Sequence, residues 1–167
     1  MVHPPLKKSF QTPCISFTQT CVANGARAGA KVIKVALDVP HNSQISSWLG
    51  LRPGDKAVRI LRVRNLDEVP CVIEDNFFPV SYAYLLDINW EDRSIYDYLL
   101  NENKVSVLPG SLIMRIMRAD EQAVKYLHVK KNTPLLHMTG FTRCADDSIL
   151  HTCEQIGYNE DFEFILR

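Results

Sequence analysis

A chain of 167 residues, 46% hydrophobic and 23% charged, has the size and balance of one globular domain with a single core. Its 19 basic and 19 acidic residues cancel, which excludes the strongly basic character of a self-sufficient nucleic-acid binder and leaves room only for a local patch. No apolar run approaches the ~20 residues of a membrane span. The five cysteines (Cys14, Cys21, Cys71, Cys144 and Cys153) show no Cys-x-x-Cys spacing and no signal peptide precedes them, which fits a reduced, cytoplasmic compartment.

Met1 to Pro13 carries three prolines and two lysines without periodicity, and reads as a linker (residues 1–13) ahead of one domain (residues 14–167). From Ser16 the pattern predicts a short helix, with Ser16 as N-cap, Phe17 and Cys21 or Val22 on one side, and Asn24-Gly25 as the stop. Lys31 to Val39 alternates as a strand. A second helix follows, capped by Asn42 or Ser43 and striped with Ile45, Trp48 and Leu49. It feeds a hairpin: a strand from about Lys56 to Leu66, a turn at Asp67 and Glu68, and a returning strand from Pro70 to Phe78.

The first strand of that hairpin places Arg62 and Arg64 on the side of Val58 and Ile60, with Leu61 and Val63 on the other. Two guanidinium groups so close within apolar surroundings repel unless an anion or a carboxylate lies between them, and Glu74 is the internal candidate. A three-residue connection would put Glu74 opposite Arg62, whereas a two-residue one would turn it to the other face. The simplest alternative is a solvated cross-strand ion pair.

Beyond Pro79 the type of the segment Tyr82 to Leu86 stays open. Asp92 or Ser94 can cap a helix from Ile95 to Asn101, and Lys104 to Met117, broken by Pro109-Gly110, reads as two strands or one bulged strand. The last third repeats the earlier unit: a helix from Asp120 to Leu127, then strands Leu135 to Cys144 and Ser148 to Tyr158 around an Ala145-Asp146-Asp147 turn. Glu154 stands where Glu74 stands in the first hairpin. Asp161 to Leu166 reads as a short edge strand. Two helix-hairpin units predict an α+β fold, one antiparallel sheet with helices packed on it.

Ser16-Phe17-Thr18, Leu49-Gly50-Leu51, Arg62-Val63-Arg64, Pro70, Glu74, Pro79, Ser94-Ile95-Tyr96 and Glu154 to Tyr158, in this order and spacing, resemble the UTRA domain. That is the effector-binding half of GntR-family transcription regulators of the HutC subfamily, with a chorismate lyase-like fold. The resemblance implies that Arg62, Arg64 and Ser94 hold the phosphate of a phosphorylated sugar or a similar anionic metabolite. It further implies that Glu74 accepts ligand hydroxyls, Tyr96 and Tyr158 wall the pocket, and Thr18 reaches the anion. The N-terminus of the Ser94-capped helix is an independent reason to expect an anion there.

By the same resemblance the chain is a homodimer joined through its sheet, takes a small anionic effector, and touches DNA only through an N-terminal winged helix-turn-helix domain absent from this chain. It has no membrane association and no cofactor. His3, His41, His128, His137 and His151 show no metal-ligand spacing, and no phosphate loop or nucleophile elbow occurs. A chorismate lyase-like enzyme acting on a small carboxylate is the alternative. An assembly-only module is a third reading, favoured if Arg62 and Arg64 are exposed.

Overall fold

Capped helices and two hairpins lay out the chain. In the computed structural model, which describes residues 6–9, 16–157 and 162–165, Ser16 Oγ accepts from the Gln19 amide (3.1 Å) while the Gln19 side chain accepts from the Ser16 amide (3.3 Å). This reciprocal cap starts α1 (Phe17–Ala23), which buries Phe17 and Cys21 and turns Val22 outward. β1 (Leu6–Ser9) precedes it, and β2 (Ala28–Asp38) follows. Asn42 caps α2 (Ser43–Trp48) through its side-chain oxygen. The chain then enters β3 (Ala57–Leu66) and β4 (Val69–Phe78).

A 3-10 segment (Val80–Asp87) settles the one stretch that the pattern leaves open. The helix expected from Ile95 to Asn101 is a single α turn, α3 (Ile95–Asp97), that widens into a π turn (Tyr98–Glu102). The break follows from Lys104, whose φ of +57° ends the helix and sends the Val105 amide back to the Leu99 carbonyl. β5 (Leu108–Arg118) is one strand bulged between Pro109 and Leu112; residues 104–107, expected to be extended with it, stay outside the strand. α4 (Glu121–Leu127), capped by Asp120, leads into β6 (Pro134–Arg143) and β7 (Ile149–Gly157). β8 (Phe162–Ile165) pairs in parallel with β1, apart from the main sheet.

β2 to β7 form one antiparallel sheet in the order β2-β3-β4-β7-β6-β5, so the α+β expectation is met and the two halves join where β4 meets β7. Each half is a strand, a helix and a hairpin. Gly50 (φ +65°) and His128 (φ +56°) occupy matching left-handed positions just past α2 and α4. Reading Met1 to Pro13 as linker needs correction at Leu6–Ser9, a strand of four residues that is too short for any alternation to stand out among prolines and lysines.

The sheet is covered on both sides. On one side Val58, Ile60 and Phe78 pack with Leu85, Trp90, Ile95 and Leu99, and Val72 packs with Phe17 and Cys21 of α1. On the other, Leu61, Val63 and Ile73 meet Ala123 and Leu127 of α4, while Ala57 and Phe77 meet Ile45 of α2. The outer edge at β2 is closed by side chains: the Ala30 amide donates to Asp92 Oδ1 (2.8 Å) and the Val32 amide to Glu91 Oε1 (3.0 Å).

One close approach fixes the seam between β4 and β7. Gly157 has φ +148°, and a Cβ there would lie 2.1 Å from the Cys71 carbonyl oxygen. Gly157→Ala is therefore expected to lower the unfolding free energy by well over about 1 kcal/mol in urea titration; an unchanged midpoint would show that the seam gives way freely.

Candidate functional site

Register decides whether the arginines meet a carboxylate. The turn holds two residues, Asp67 (φ +46°) and Glu68 (φ +73°), so Leu66 pairs with Val69 and Asn65 with Pro70. Asp67 is held in this left-handed conformation by its carboxylate, which accepts from the Arg27 amide at 2.8 Å. Continued unchanged, that register would set Glu74 opposite Leu61, on the wrong side. A bulge at Cys71 adds one residue to β4, after which Arg64 pairs with Val72 and Arg62 with Glu74. The expected pairing is thus reached with the short turn plus a bulge, not with a three-residue loop.

The two cations share the one carboxylate. Arg62 Nη2 donates to both Glu74 oxygens (3.1 Å each), and Arg64 Nη1 donates to Oε2 (3.0 Å). Exposures of 1% for Arg62, 3% for Arg64 and 7% for Glu74 exclude a solvated ion pair and remove the condition that favoured an assembly-only module. Other donors are matched one by one. Arg62 Nη1 donates to the Arg93 carbonyl (2.6 Å), Arg64 Nε to the Gly29 carbonyl (3.2 Å), and Arg64 Nη2 to Thr18 Oγ1 (3.0 Å). The Phe17 ring lies under the Arg64 guanidinium, 4.6 Å away. Asn76 adds an amide donor to Glu74 (3.2 Å). Burial pushes the Glu74 carboxyl toward neutrality, but Arg62 and Arg64 overcome it and hold the group well below the ordinary carboxylate range.

Two features mark this cluster as more than a structural clasp. Arg62, Arg64 and Glu74 sum to one positive charge in a buried setting, and Arg62 Nε is buried with no hydrogen-bond partner among the described residues. Such a centre favours a further anionic or accepting atom.

Of the other residues expected in the site, Thr18 is in place on α1, bonded to Arg64. Ser94 is buried and delivered beside the pair, next to the Arg93 carbonyl, but its Oγ accepts from the Asp97 amide (3.2 Å) and the helix it caps is one turn long. Its role as an anion-facing helix N-terminus is correspondingly weak. Tyr96 is half-buried, with its hydroxyl 3.0 Å from His151 Nε2. Tyr158 lies outside the described residues.

Sequence reasoning passed over Asn76, the Arg93 carbonyl and His151. The run Glu74-Asp75-Asn76 inside a strand that is apolar at both ends was the available signal for Asn76; nothing in the chain marks Arg93. His151 stacks on Phe78 (centroids 4.8 Å apart), and its Nδ1 lies 3.1 Å from the Thr152 carbonyl. Because a carbonyl only accepts, Nδ1 carries the proton and Nε2 receives one from the Tyr96 hydroxyl. Burial brings the imidazole down to about 4, so it is neutral at physiological pH.

The second-hairpin equivalence takes another form. Glu154 pairs with Thr139, as Glu74 pairs with Arg62, but β4 and β7 align Glu154 with Asp75, so it faces the opposite side of the sheet. The two glutamates share a hairpin position and not a site.

A six-stranded antiparallel sheet thus carries a buried cationic pair between its first hairpin and a covering helix. The UTRA domain family model matches residues 23–163, and the chain belongs to that family. It is 21% identical over 162 residues to the HTH-type transcriptional repressor NagR of Bacillus subtilis, covering 97% of this chain and 66% of NagR. Among solved structures, the effector domain of PhnF from Mycobacterium smegmatis aligns at TM-score 0.81 and 15% identity, over 96% of this chain and 98% of that one. A GntR-family transcriptional regulator from Bacillus cereus aligns at 0.65 and 21%, over 83% and 96%. The fold named by the resemblance is thereby shown.

Glu74→Gln leaves two buried guanidinium groups without an anion, and is expected to cost about 3–5 kcal/mol in urea unfolding at neutral pH. In the wild type, Glu74 has a depressed folded pKa. Its stabilisation is therefore complete above the ordinary value of 4.5 and is withdrawn as pH falls below it. His151 gives a separate signal. The unfolded chain takes a proton near 6.5 that the folded chain resists down to about 4, so stability falls between those values by about 1.4 kcal/mol per pH unit. In His151→Gln that slope is expected to vanish, so the gap between wild type and variant narrows on acidification; parallel curves would mean that His151 is charged in the fold.

Proposed function

We propose that this domain is the effector-sensing part of a cytoplasmic GntR-type transcription regulator of the HutC kind, and that its effector is a small anionic metabolite such as a phosphorylated sugar. The observation that carries this reading is the buried Arg62–Arg64 pair sharing a single carboxylate, with one positive charge in excess. Thr18 on α1 bonds Arg64, and Ser94 at the start of α3 adjoins the Arg93 carbonyl that Arg62 grips; with Tyr96 on α3 they belong to the elements that a ligand would hold against the sheet. Glu74 turns toward ligand hydroxyls while the guanidiniums take the anionic group; each such charge-assisted bond contributes about 1.5–3 kcal/mol.

DNA is contacted by a separate domain, and membership of the UTRA family together with likeness to NagR and to the PhnF effector domain supports that division. Transmission needs two arrangements that the ligand distinguishes. A homodimer supplies them. On the outer strand β5, Leu112 (44% exposed), Met114 (41%) and Ile116 (73%) project from the same side of the sheet as Arg62, forming an apolar row for a second copy to cover. No described helix is long and apolar enough to cross a membrane.

A thermal-shift screen against phosphorylated sugars, free sugars, amino acids and chorismate tests the reading. At a hundredfold its dissociation constant a ligand stabilises by about 2.7 kcal/mol, or roughly 5–10 °C for a domain of this size. One phosphorylated compound is expected to give such a shift, and Arg64→Lys, which keeps the charge but loses the fork to Glu74 and Thr18, to lose most of it. Turnover of chorismate would replace the sensor with an enzyme. Indifference to every anion would refute the pocket.

A further inference from the structure

The opposite side of the sheet holds a second polar cluster that the effector site does not use. Arg59 Nη1 donates to Asp38 (2.9 Å), and Arg59 grips Asp75 through Nε (3.0 Å) and Nη2 (2.7 Å). Beside Asp75 on β7 is Glu154, whose two oxygens take two imidazoles: His41 Nε2 at 2.7 Å and His137 Nε2 at 2.6 Å. The Thr139 hydroxyl lies 3.2 Å from the same His137 nitrogen, and His41 Nδ1 is 4.0 Å from Asp75 Oδ2. Two histidines reach one carboxylate from places 113 and 17 residues away along the chain.

We infer that His41, His137 and Glu154 form a binding site for a divalent transition-metal ion of the zinc type, with Asp75 at its border. Two imidazole nitrogens and one carboxylate oxygen are a donor set for zinc and its neighbours and a poor one for calcium or magnesium, which prefer oxygen alone. Around a tetrahedral zinc, donor atoms at bond lengths near 2.1 Å stand about 3.3–3.4 Å apart. His41 Nε2 and His137 Nε2 lie 2.7 and 2.6 Å from the two oxygens of Glu154 and open outward to reach that spacing, and one donor atom each from His41, Asp75 and Glu154 falls within 4.8 Å of the others.

Small side-chain rotations thus convert two N–H···O contacts into metal bonds, the ion displacing the protons that now lie between the groups. His41 supplies the freedom and the entry path, since its side chain is half exposed in the loop ahead of α2. Charge agrees: apart from the imidazoles, Lys34 and Arg59 against Asp38, Asp75 and Glu154 leave one net negative charge. Arg59 already neutralises Asp75 and holds it as an orienting neighbour, so Glu154 is the anion left for the ion.

This site stands independently of the effector pocket. The test is calorimetric titration of chelator-treated protein with Zn²⁺, alongside Co²⁺ titration read by visible absorption. One ion per chain with a nitrogen–oxygen spectrum free of thiolate charge transfer is expected, together with a rise in melting temperature on adding Zn²⁺. His41→Ala, at a half-exposed loop position that the fold tolerates, should weaken binding at least tenfold or so and abolish the rise, as should His137→Gln. Binding of unchanged strength in His41→Ala, a thiolate spectrum, or no uptake of Zn²⁺ by the wild type would each overturn the assignment.

Discussion

Two guanidinium groups buried side by side are costly to remove from water, and the arrangement that makes them tolerable organises much of this domain. One carboxylate lies between them; a bulge at Cys71 brings that carboxylate to the correct side of β4. α1 lays Phe17 and Thr18 over Arg64, and the segment that closes the β2 edge returns the Arg93 carbonyl to Arg62. Coulomb attraction alone would not hold such a group. It persists because nearly every donor finds an acceptor, and a centre satisfied this far is rigid until something competes for its charge.

β4 is polar on both sides at its midpoint. Glu74 and Asp75 are consecutive and therefore face opposite ways, one to the arginine pair and the other to Arg59 and the histidine-bearing cluster. A displacement of the strand that reorients Glu74 necessarily reorients Asp75. The arginine cluster on one side of the sheet and the histidine-bearing cluster on the other therefore share one backbone segment, a single peptide unit of β4.

Much of this was legible in the chain. Parity along β3 put Arg62 and Arg64 on one side, Ser16 and the choice of Asn42 or Ser43 marked two helix starts, and the repeated helix-hairpin unit announced one antiparallel sheet with helices on it. What escaped notice has definite causes. A bulge is a one-residue insertion that Cys71 does not advertise, so the two-residue turn alone argued for the wrong register. The π turn after α3 is written in a backbone angle at Lys104, where no glycine or asparagine gives warning. His41 and His137 converge only after β6 and β7 pair and the loop before α2 folds across them, and no local spacing encodes a contact between residues 113 apart.

The two edges of the sheet are unequal. At β2 the amides of Ala30 and Val32 are already committed to Asp92 and Glu91, whereas β5 presents an apolar row with no such cover. A sheet able to grow from both ends would propagate, copy after copy, into a fibre. Where amides at one edge are already bonded, strand addition is disfavoured there and favoured at the other end. Two carboxylates bonded to two strand amides thus occupy donors that an added strand would need, and make the β2 edge the poorer of the two for any such growth.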